Sequence, residues 1–207
     1  MRAIKTRQQI AAEETQRAIV AAAGRLFAEH GYHATSITRI ATEAGVAVQT
    51  IYNAIGAKHE ILARVLDFAA AGARAPTPAA QFLSEQAERE PDPRKMIEHL
   101  VDFWRTALPR TAPVFRMIRE AAAVDLDAAA LERTRAAQRL SNYTRAAGLL
   151  SDRGALRPGL TVDDAAAAIF AIGHPETYRA LVLDGDWKND RWTAWAQASL
   201  EATLLDF

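Results

Sequence analysis

Alanine makes up about a fifth of this chain, 46 of 207 residues, and that composition favours helix over every other regular structure. Alanine has the highest intrinsic helix propensity, and the residues that interrupt helices are few, with 10 glycines and 8 prolines. Apolar residues recur at three- and four-residue spacing along most of the chain, and no segment alternates as a strand does. The sequence therefore predicts an all-α fold with a sizeable hydrophobic core.

Several function classes are disfavoured by residues that are missing. The chain has no cysteine, which excludes disulfides, Cys-ligated metals and thiol catalysis. It has no paired His and carboxylate spacing typical of a metal site, no nucleophile elbow and no glycine-rich phosphate loop. We therefore expect no metal, no cofactor and no enzymatic activity.

The distribution of apolar and charged residues gives an expectation about location and partners. The longest apolar run, Ala165 to Ile172, is too short to cross a membrane, and the first ten residues are polar and basic, so we expect a cytoplasmic protein. Residues 1–64 contain eight Lys/Arg against five Asp/Glu, although the whole chain has a formal net charge of zero. This asymmetry favours a polyanionic partner for the N-terminal part.

Glycine and proline divide the helical pattern into segments. Gly31 and Gly45 stand where a helix end needs a left-handed residue, and Ser36 is placed to cap the second helix. Pro76-Thr77-Pro78 has the composition of a joint, and Pro109 and Gly173-His174-Pro175 are further predicted breaks. The predicted helices cover about 7–30, 37–44, 48–55, 58–75, 78–90, 94–107, 112–124, 127–153 and 162–172, followed by a short helix ending at Leu183 and a last helix over 188–205.

The segment from Ser36 to Ile55 has the skeleton of a helix-turn-helix. Ala41 is small enough for two helices to cross closely, Gly45 suits the turn, and Ile51 provides an apolar side chain that packs the second helix onto the first. The polar groups of that second helix then face outward, where Gln and Asn can pair with adenine. The outward set is Val48, Gln49, Thr50, Tyr52 and Asn53. From the spacing alone, two short antiparallel helices without a DNA function remain an alternative.

The surrounding residues extend this motif into a recognisable pattern. The pattern comprises Ile19 to Ala23, Leu26 to Tyr32, Thr35 to Ile37, Ile40-Ala41, Ala44 to Val46, Thr50 to Tyr52, and Lys58 before Ile61-Leu62. With this pattern, residues 7–68 resemble the DNA-binding head of the tetracycline-repressor (TetR) family of bacterial transcriptional regulators. The resemblance implies a three-helix head over 1–57 with a basic N-terminal arm, a linking helix over 58–75, and an all-helical effector-binding and dimerisation domain over 76–207.

The resemblance also implies roles for matching positions in the head. Ser36 and Thr38 begin the helix that meets the phosphate backbone, and Tyr52 and Lys58 occupy the positions of phosphate contacts. Val48, Gln49, Thr50 and Asn53 fall on the recognition helix. Two departures from the family pattern are the lack of a side-chain cap at Ala47 and an Asn53-Ala54-Ile55 ending with few large groups.

The C-terminal two-thirds resembles the family only in style, and two sets of apolar residues are candidates there. The first set would line a pocket for a small, moderately hydrophobic effector, with His99 and Asn142 as further polar groups. This set comprises Met96, Leu100, Phe103, Trp104, Phe115, Ile118, Tyr143, Phe170 and His174. The second set would form a homodimer interface; it comprises Tyr178, Leu181, Val182, Trp192, Trp195, Leu200 and Leu204. The alternative for each residue is that it fills the core of its own chain.

These observations lead to one functional expectation and one rival. We expect a sequence-specific regulator that binds double-stranded operator DNA of pseudo-palindromic sequence as a homodimer, and that acts as a repressor released by its effector. The rival is an all-α carrier or sensor of small molecules that does not bind an operator. A salt-sensitive, sequence-selective DNA complex distinguishes the two.

Overall fold

The computed structural model describes residues 6–72 and 88–206, and these residues are predominantly helical. The helices are α1 (Arg7–Ala34), α2 (Ile37–Ala44), α3 (Val48–Ala54), α4 (Lys58–Ala71), α5 (Pro93–Ala122), α6 (Leu126–Asp152), α7 (Val162–Ile172), α8 (Pro175–Tyr178) and α9 (Asn189–Leu204). A wider π-helical turn, Arg179–Leu183, continues α8. The described residues contain no strand beyond one isolated bridge between Leu156 and Leu205. The all-α prediction is confirmed.

The chain divides into two compact units. The first combines the residues up to Phe68 with Met117–Glu132, and the second combines Ala69–Arg116 with Arg133–Phe207. The predicted joint at Pro76-Thr77-Pro78, the extreme N-terminal arm and most of the predicted helix over 78–90 lie outside the described residues. No helix in the described ranges is long and apolar enough to cross a membrane.

The first unit has a core made by one face of each of its four N-terminal helices. Gly31 interrupts α1 with φ 78°, as its position in the sequence predicted, and turns the chain toward α2. The buried Thr35 hydroxyl donates to the Leu26 and Gly31 carbonyls at that break, over 3.2 and 2.9 Å, so those helix-end acceptors are satisfied. The core side chains include Ile19, Ala23, Phe27, Ile40, Ile51, Ile61 and Leu62.

The second unit is built around tryptophan. The buried Trp104 of α5 donates from Nε1 to the Tyr143 hydroxyl at 3.2 Å, and its ring lies edge-on to Trp192 of α9 at 6.3 Å between centroids. Gly173, after α7, packs so closely on Trp104 that it leaves no space for a side chain. These contacts join α5, α6, α7 and α9 into one core.

The predicted break at Pro109 is wrong, because α5 runs without interruption from Pro93 to Ala122 with Pro109 and Pro113 inside it. Proline in a helix cannot donate to the carbonyl four residues earlier, here that of Arg105. Asn189, at the start of α9, supplies the missing donor through Nδ2, which lies 3.1 Å from the Arg105 oxygen. A tertiary hydrogen bond therefore compensates for the interruption that the local sequence predicted.

Candidate functional site

The turn between α2 and α3 has the geometry that a helix-turn-helix needs. The Ser36 hydroxyl caps α2 by accepting from the Arg39 amide at 3.1 Å. Gly45 then adopts a left-handed conformation, φ 67° and ψ 32°, and the Val46 amide donates to the Ala41 carbonyl at 3.0 Å, which closes the end of α2. Ile51 is fully buried and fixes α3 against the other helices. Both predicted roles, the cap and the turn glycine, are confirmed.

The two ends of α3 are held differently. Ala47 makes no side-chain cap at the start of the helix, as its chemistry predicted. At the other end, Gln16 of α1 donates from Nε2 to the Ala54 carbonyl at 2.8 Å. Gln16 was not predicted from the sequence, because its partner is 38 residues away and no local pattern marks it. This bond anchors the helix that carries the predicted base contacts.

The predicted DNA-binding residues differ in their exposure. Ser36, Thr38, Gln49, Tyr52 and Asn53 are exposed, whereas Val48, Thr50 and Lys58 are half-buried. Gln49 and Asn53 lie one turn apart, and Gln49 donates from Nε2 to the side-chain oxygen Oδ1 of Asn53 at 2.9 Å. The two amides predicted to read bases are therefore next to each other on the solvent-exposed face of α3.

Lys58, the predicted phosphate contact at the start of α4, is held by α1. Its ammonium lies 4.2 Å from the centroid of the Tyr32 ring and donates to the His33 carbonyl at 3.4 Å. Burial lowers the pKa of Lys58, and the nearby charge of Asp125 opposes that change. Glu60 lies two residues after Lys58. Its carboxylate accepts from the Ala57 amide at 2.7 Å and so caps the N-terminus of α4.

Asp125 connects the start of α6 to the head and was not identified from the sequence. One carboxylate oxygen accepts from the Asp127 and Ala128 amides at 2.9 and 3.1 Å, and the other accepts from the Tyr32 hydroxyl at 3.3 Å. The Ala128 amide is the main cause that lowers the pKa of Asp125, against an opposing effect of burial. The neighbouring Asp127 carboxylate lies 3.7 Å from His59 Nδ1.

We expect Asp125→Ala to destabilise the first unit by about 1 kcal/mol near neutral pH, because it removes the cap of α6. The pKa of Asp125 in the folded chain is below its ordinary value. Its contribution is therefore complete above about pH 4, the unfolded pKa, and is lost as the pH falls below that. The measurement is urea unfolding of both proteins at several pH values.

Asp127→Ala is the matched control for this prediction, because Asp127 is more exposed and does not accept the capping bonds. It should cost clearly less than Asp125→Ala at neutral pH. The difference in unfolding free energy between wild type and Asp125→Ala should be smaller at pH 3 than at pH 7. The same difference at both pH values would contradict the assigned role.

A cavity of about 60 Å³ lies inside the second unit, among α5, α6, α7 and α9. Its walls are mainly apolar, and its polar members are His99, Asn142, Tyr143 and Arg145. Burial raises the pKa of the Tyr143 hydroxyl, which accepts the hydrogen bond from Trp104. The cavity is lined by Met96, Ile97, His99, Leu100, Asn142, Tyr143, Arg145, Ala146, Leu149, Leu150, Ile169, Leu200 and Leu204.

The structure separates the nine predicted effector residues into groups. Met96, Leu100 and Tyr143 line the cavity. Trp104 is buried in the core of the second unit, Phe103 packs against that core, and Ile118 is buried in the first unit.

The remaining three, Phe115, Phe170 and His174, surround Arg139. The guanidinium carbon lies 4.4 and 5.3 Å from the two ring centroids, and Nη2 is 3.3 Å from His174 Nε2. Sequence analysis missed Arg139 and Arg145 because an arginine on a helix is usually a solvated surface residue.

The predicted dimer residues are also distributed over different environments. Tyr178, Trp192, Leu200 and Leu204 are buried in the core of their own chain, and the last two line the cavity. Leu181, Val182 and Trp195 are half-buried. Trp195 packs edge-on against Trp187 at 6.0 Å, and Arg191 lies over the Trp187 ring at 4.1 Å.

The N-terminal head is similar in sequence to known regulatory proteins. The model of the family "Bacterial regulatory proteins, tetR family" matches residues 19–65. These residues include the C-terminal part of α1, all of α2 and α3, and the start of α4. The head is therefore similar to the DNA-binding part of the TetR family. The HTH-type transcriptional regulator HbdR of Aromatoleum sp. (strain CIB) is 46% identical over 50 residues, 24% of this chain. That match spans 22% of the relative, about a fifth of its length.

Solved structures are similar in fold to nearly the whole length of this chain. The SmeT–triclosan complex has a TM-score of 0.72 and 21% identity, covering 93% of this chain and 92% of SmeT. The fatty acid degradation regulator FadR from Bacillus halodurans has a TM-score of 0.67 and 20% identity, covering 96% of each chain. At these identities the likeness concerns the fold alone.

Proposed function

We propose that this chain is a sequence-specific transcriptional regulator that binds a pseudo-palindromic operator as a homodimer and is released from it by a small, moderately hydrophobic effector. The observation that carries the proposal is the geometry of α2 and α3. Gly45 turns the chain, the buried Ile51 fixes α3, and the exposed Gln49 and Asn53 remain for base edges. Operator DNA in the bacterial cytoplasm is the corresponding partner.

In this proposal residues 1–57 bind DNA, 58–75 link, and 76–207 bind the effector and dimerise. Ser36, Thr38, Tyr52 and Lys58 contact phosphates, while Val48, Gln49, Thr50 and Asn53 contact bases. The half-buried Leu181, Val182 and Trp195, with the exposed Leu183, form the dimer surface. The buried Tyr178 and Trp192 support that surface from inside the chain.

The route from effector to DNA follows two continuous helices. Both α5 and α6 line the cavity, through residues such as Leu100 and Tyr143. Their joined ends belong to the first unit, where Asp125 bonds to Tyr32 beside Lys58. An effector that favours one arrangement of these helices by ~1–3 kcal/mol is sufficient for regulation.

The decisive experiment is selection of binding sites from random duplex DNA with the purified full chain near physiological salt. Enrichment of an inverted repeat supports a dimeric regulator, and the spacing of its half-sites reports the separation of the two recognition helices. Weak binding without sequence preference, lost as salt rises, would favour the carrier or sensor. Protein refolded from denaturant should be tested in parallel, to remove any bound effector.

Lys58→Ala is expected to weaken binding to all DNA sequences roughly tenfold near 0.1 M salt and to reduce the salt slope by about one. The physical reason is the loss of one charge that replaces condensed counterions on a phosphate. Lys58→Arg, which keeps the charge, is the control, and circular dichroism checks that both variants are folded. An unchanged salt slope in Lys58→Ala would remove Lys58 from the interface.

Gln49→Ala and Asn53→Ala are expected to act differently from Lys58→Ala. Each removes one amide of the exposed pair on α3, so preference should relax at particular base pairs, with a discrimination loss of about 1–3 kcal/mol. The measurement is competition between the selected operator and single-base variants of it. A uniform loss over all variants would mean that these amides do not read bases.

A further inference from the structure

The cavity of the second unit has an apolar body and a polar rim of three side chains. Met96 and Ile97 are buried on α5, Ile169 on α7, and Leu200 on α9. The rim consists of His99, Asn142 and Arg145, of which His99 is half-buried and the other two are exposed. The cavity is therefore amphipathic, with a mainly apolar lining and polar side chains of which two are exposed.

The rim side chains have donors that the protein itself leaves unused. His99 Nδ1 is buried and has no hydrogen-bond partner within residues 6–72 and 88–206. Asn142 and Arg145 make no hydrogen bond or ion pair with any residue in the described ranges. Tyr143, in contrast, is already bonded to Trp104. Buried polar atoms are almost always satisfied in folded proteins, so a polar ligand atom in the cavity would give the His99 nitrogen a partner.

The charge of the lining determines the sign of the ligand. Arg145 is basic, and the described residues that line the cavity include no carboxylate. A guanidinium matches the two oxygens of a carboxylate, and an imidazole N–H adds a third donor. An ammonium group at the same place would meet the arginine charge without any acidic partner.

The size of the cavity limits the apolar part. Its volume is about 60 Å³, so the chain that fits without repacking is short. We propose that the cavity binds a short aliphatic monocarboxylate of about four to six carbons, whose carboxylate is held by Arg145 and His99. Only the role of this monocarboxylate as the effector rests on the proposed function; its binding in the cavity does not.

The test uses the full chain and isothermal titration with hexanoate, 1-hexanol and hexylamine, which share one chain length and differ in the polar group. Hexanoate is expected to bind at least tenfold more tightly than hexanol, and hexylamine is expected not to bind. Equal affinities for hexanoate and hexanol would overturn the anion assignment. Binding of none of the three would overturn the cavity as a site for this class.

Three variants locate the interaction. Arg145→Gln should weaken hexanoate binding at least tenfold and leave hexanol unchanged, while Arg133→Gln, on the exposed part of the same helix α6, should leave both unchanged. Ala146→Leu adds apolar atoms to the cavity wall and should abolish binding of both molecules. Retention of hexanoate affinity in Arg145→Gln would contradict the proposal.

The titrations are made without DNA, so they are independent of operator binding. If the chain selects an inverted repeat but binds no carboxylate, the regulator remains and this inference fails. If the chain binds hexanoate and selects no DNA site, the cavity assignment stands and the proposed function fails. If both hold, hexanoate should release the selected operator from wild type but not from Arg145→Gln at the same concentration.

Discussion

Gly173→Ala is expected to destabilise the second unit by about 3 kcal/mol, the largest loss that we expect from the addition of one methyl group. A Cβ at this position would lie 2.5 Å from Cε2 and Cη2 of Trp104, and closer still to Cζ2. Trp104 is buried, bonds to Tyr143 and packs against Trp192, so a shift of its ring would disturb these contacts. The midpoint of thermal unfolding should fall by roughly 6–12 °C.

Gly148→Ala is the matched control for this experiment. Gly148 lies inside α6, and a Cβ there would meet no atom within 4 Å. The same change should therefore stabilise the chain by about 0.5–1 kcal/mol, because alanine loses less backbone entropy in a helix. If Gly173→Ala and Gly148→Ala have the same effect, the close packing at Trp104 is not a constraint on stability.

Trp104→Phe offers a second check on the same contact. The smaller ring gives up the bond to Tyr143 and destabilises the wild type, yet it creates space beside residue 173. Trp104→Phe should therefore lower the unfolding free energy less in the Gly173→Ala background than in the wild type, since substitutions of contacting residues are not additive. Strict additivity of the two changes would show that the clash is relieved elsewhere.

Ile51→Ala is expected to abolish operator binding by unfolding the head rather than by removing a DNA contact. Ile51 is completely buried, and truncation of such a side chain costs about 2–5 kcal/mol. That loss is a large part of the total stability of a small domain. Hydrogen exchange of the amides in α1 to α3 should accelerate, while exchange in α7 and α9 should not.

Asn53→Ala is the comparison, because Asn53 is exposed on the same helix. Its exchange rates should match those of the wild type, and its effect should be confined to base preference. If Ile51→Ala keeps wild-type exchange rates and still loses DNA binding, Ile51 is a contact residue and the helix packs differently.

The head was predictable because its determinants are local in sequence. Ser36 caps the helix that begins beside it, and Gly45, nine residues after Ser36, ends the same helix. Ile51 follows at a spacing that the motif requires. Caps, turn glycines and one apolar side chain act over a few residues, so a single sequence contains them. The bonds of Gln16 to Ala54 and of Asp125 to Tyr32 were missed because these partners are distant in sequence.

The second unit was predictable only as a set of helices. Proline at 109 indicated a break, but a donor from Asn189, 84 residues away, allows α5 to continue. Periodicity placed Trp104, Met96 and Leu200 on apolar faces equally well. It could not distinguish Trp104, which fills the core, from Met96 and Leu200, which face the cavity.

Local sequence patterns thus predict the all-helical class of this protein, the helix-turn-helix and the likeness of its head to the TetR family. Only the tertiary structure decided which apolar side chains enclose a void, which polar atoms beside it lack a partner, and how Lys58 is held against Tyr32. The physical reason is that helix propensity and capping are short-range, whereas hydrophobic burial has no direction. An apolar periodicity specifies that a side chain leaves water, and only the packed helices specify what it contacts.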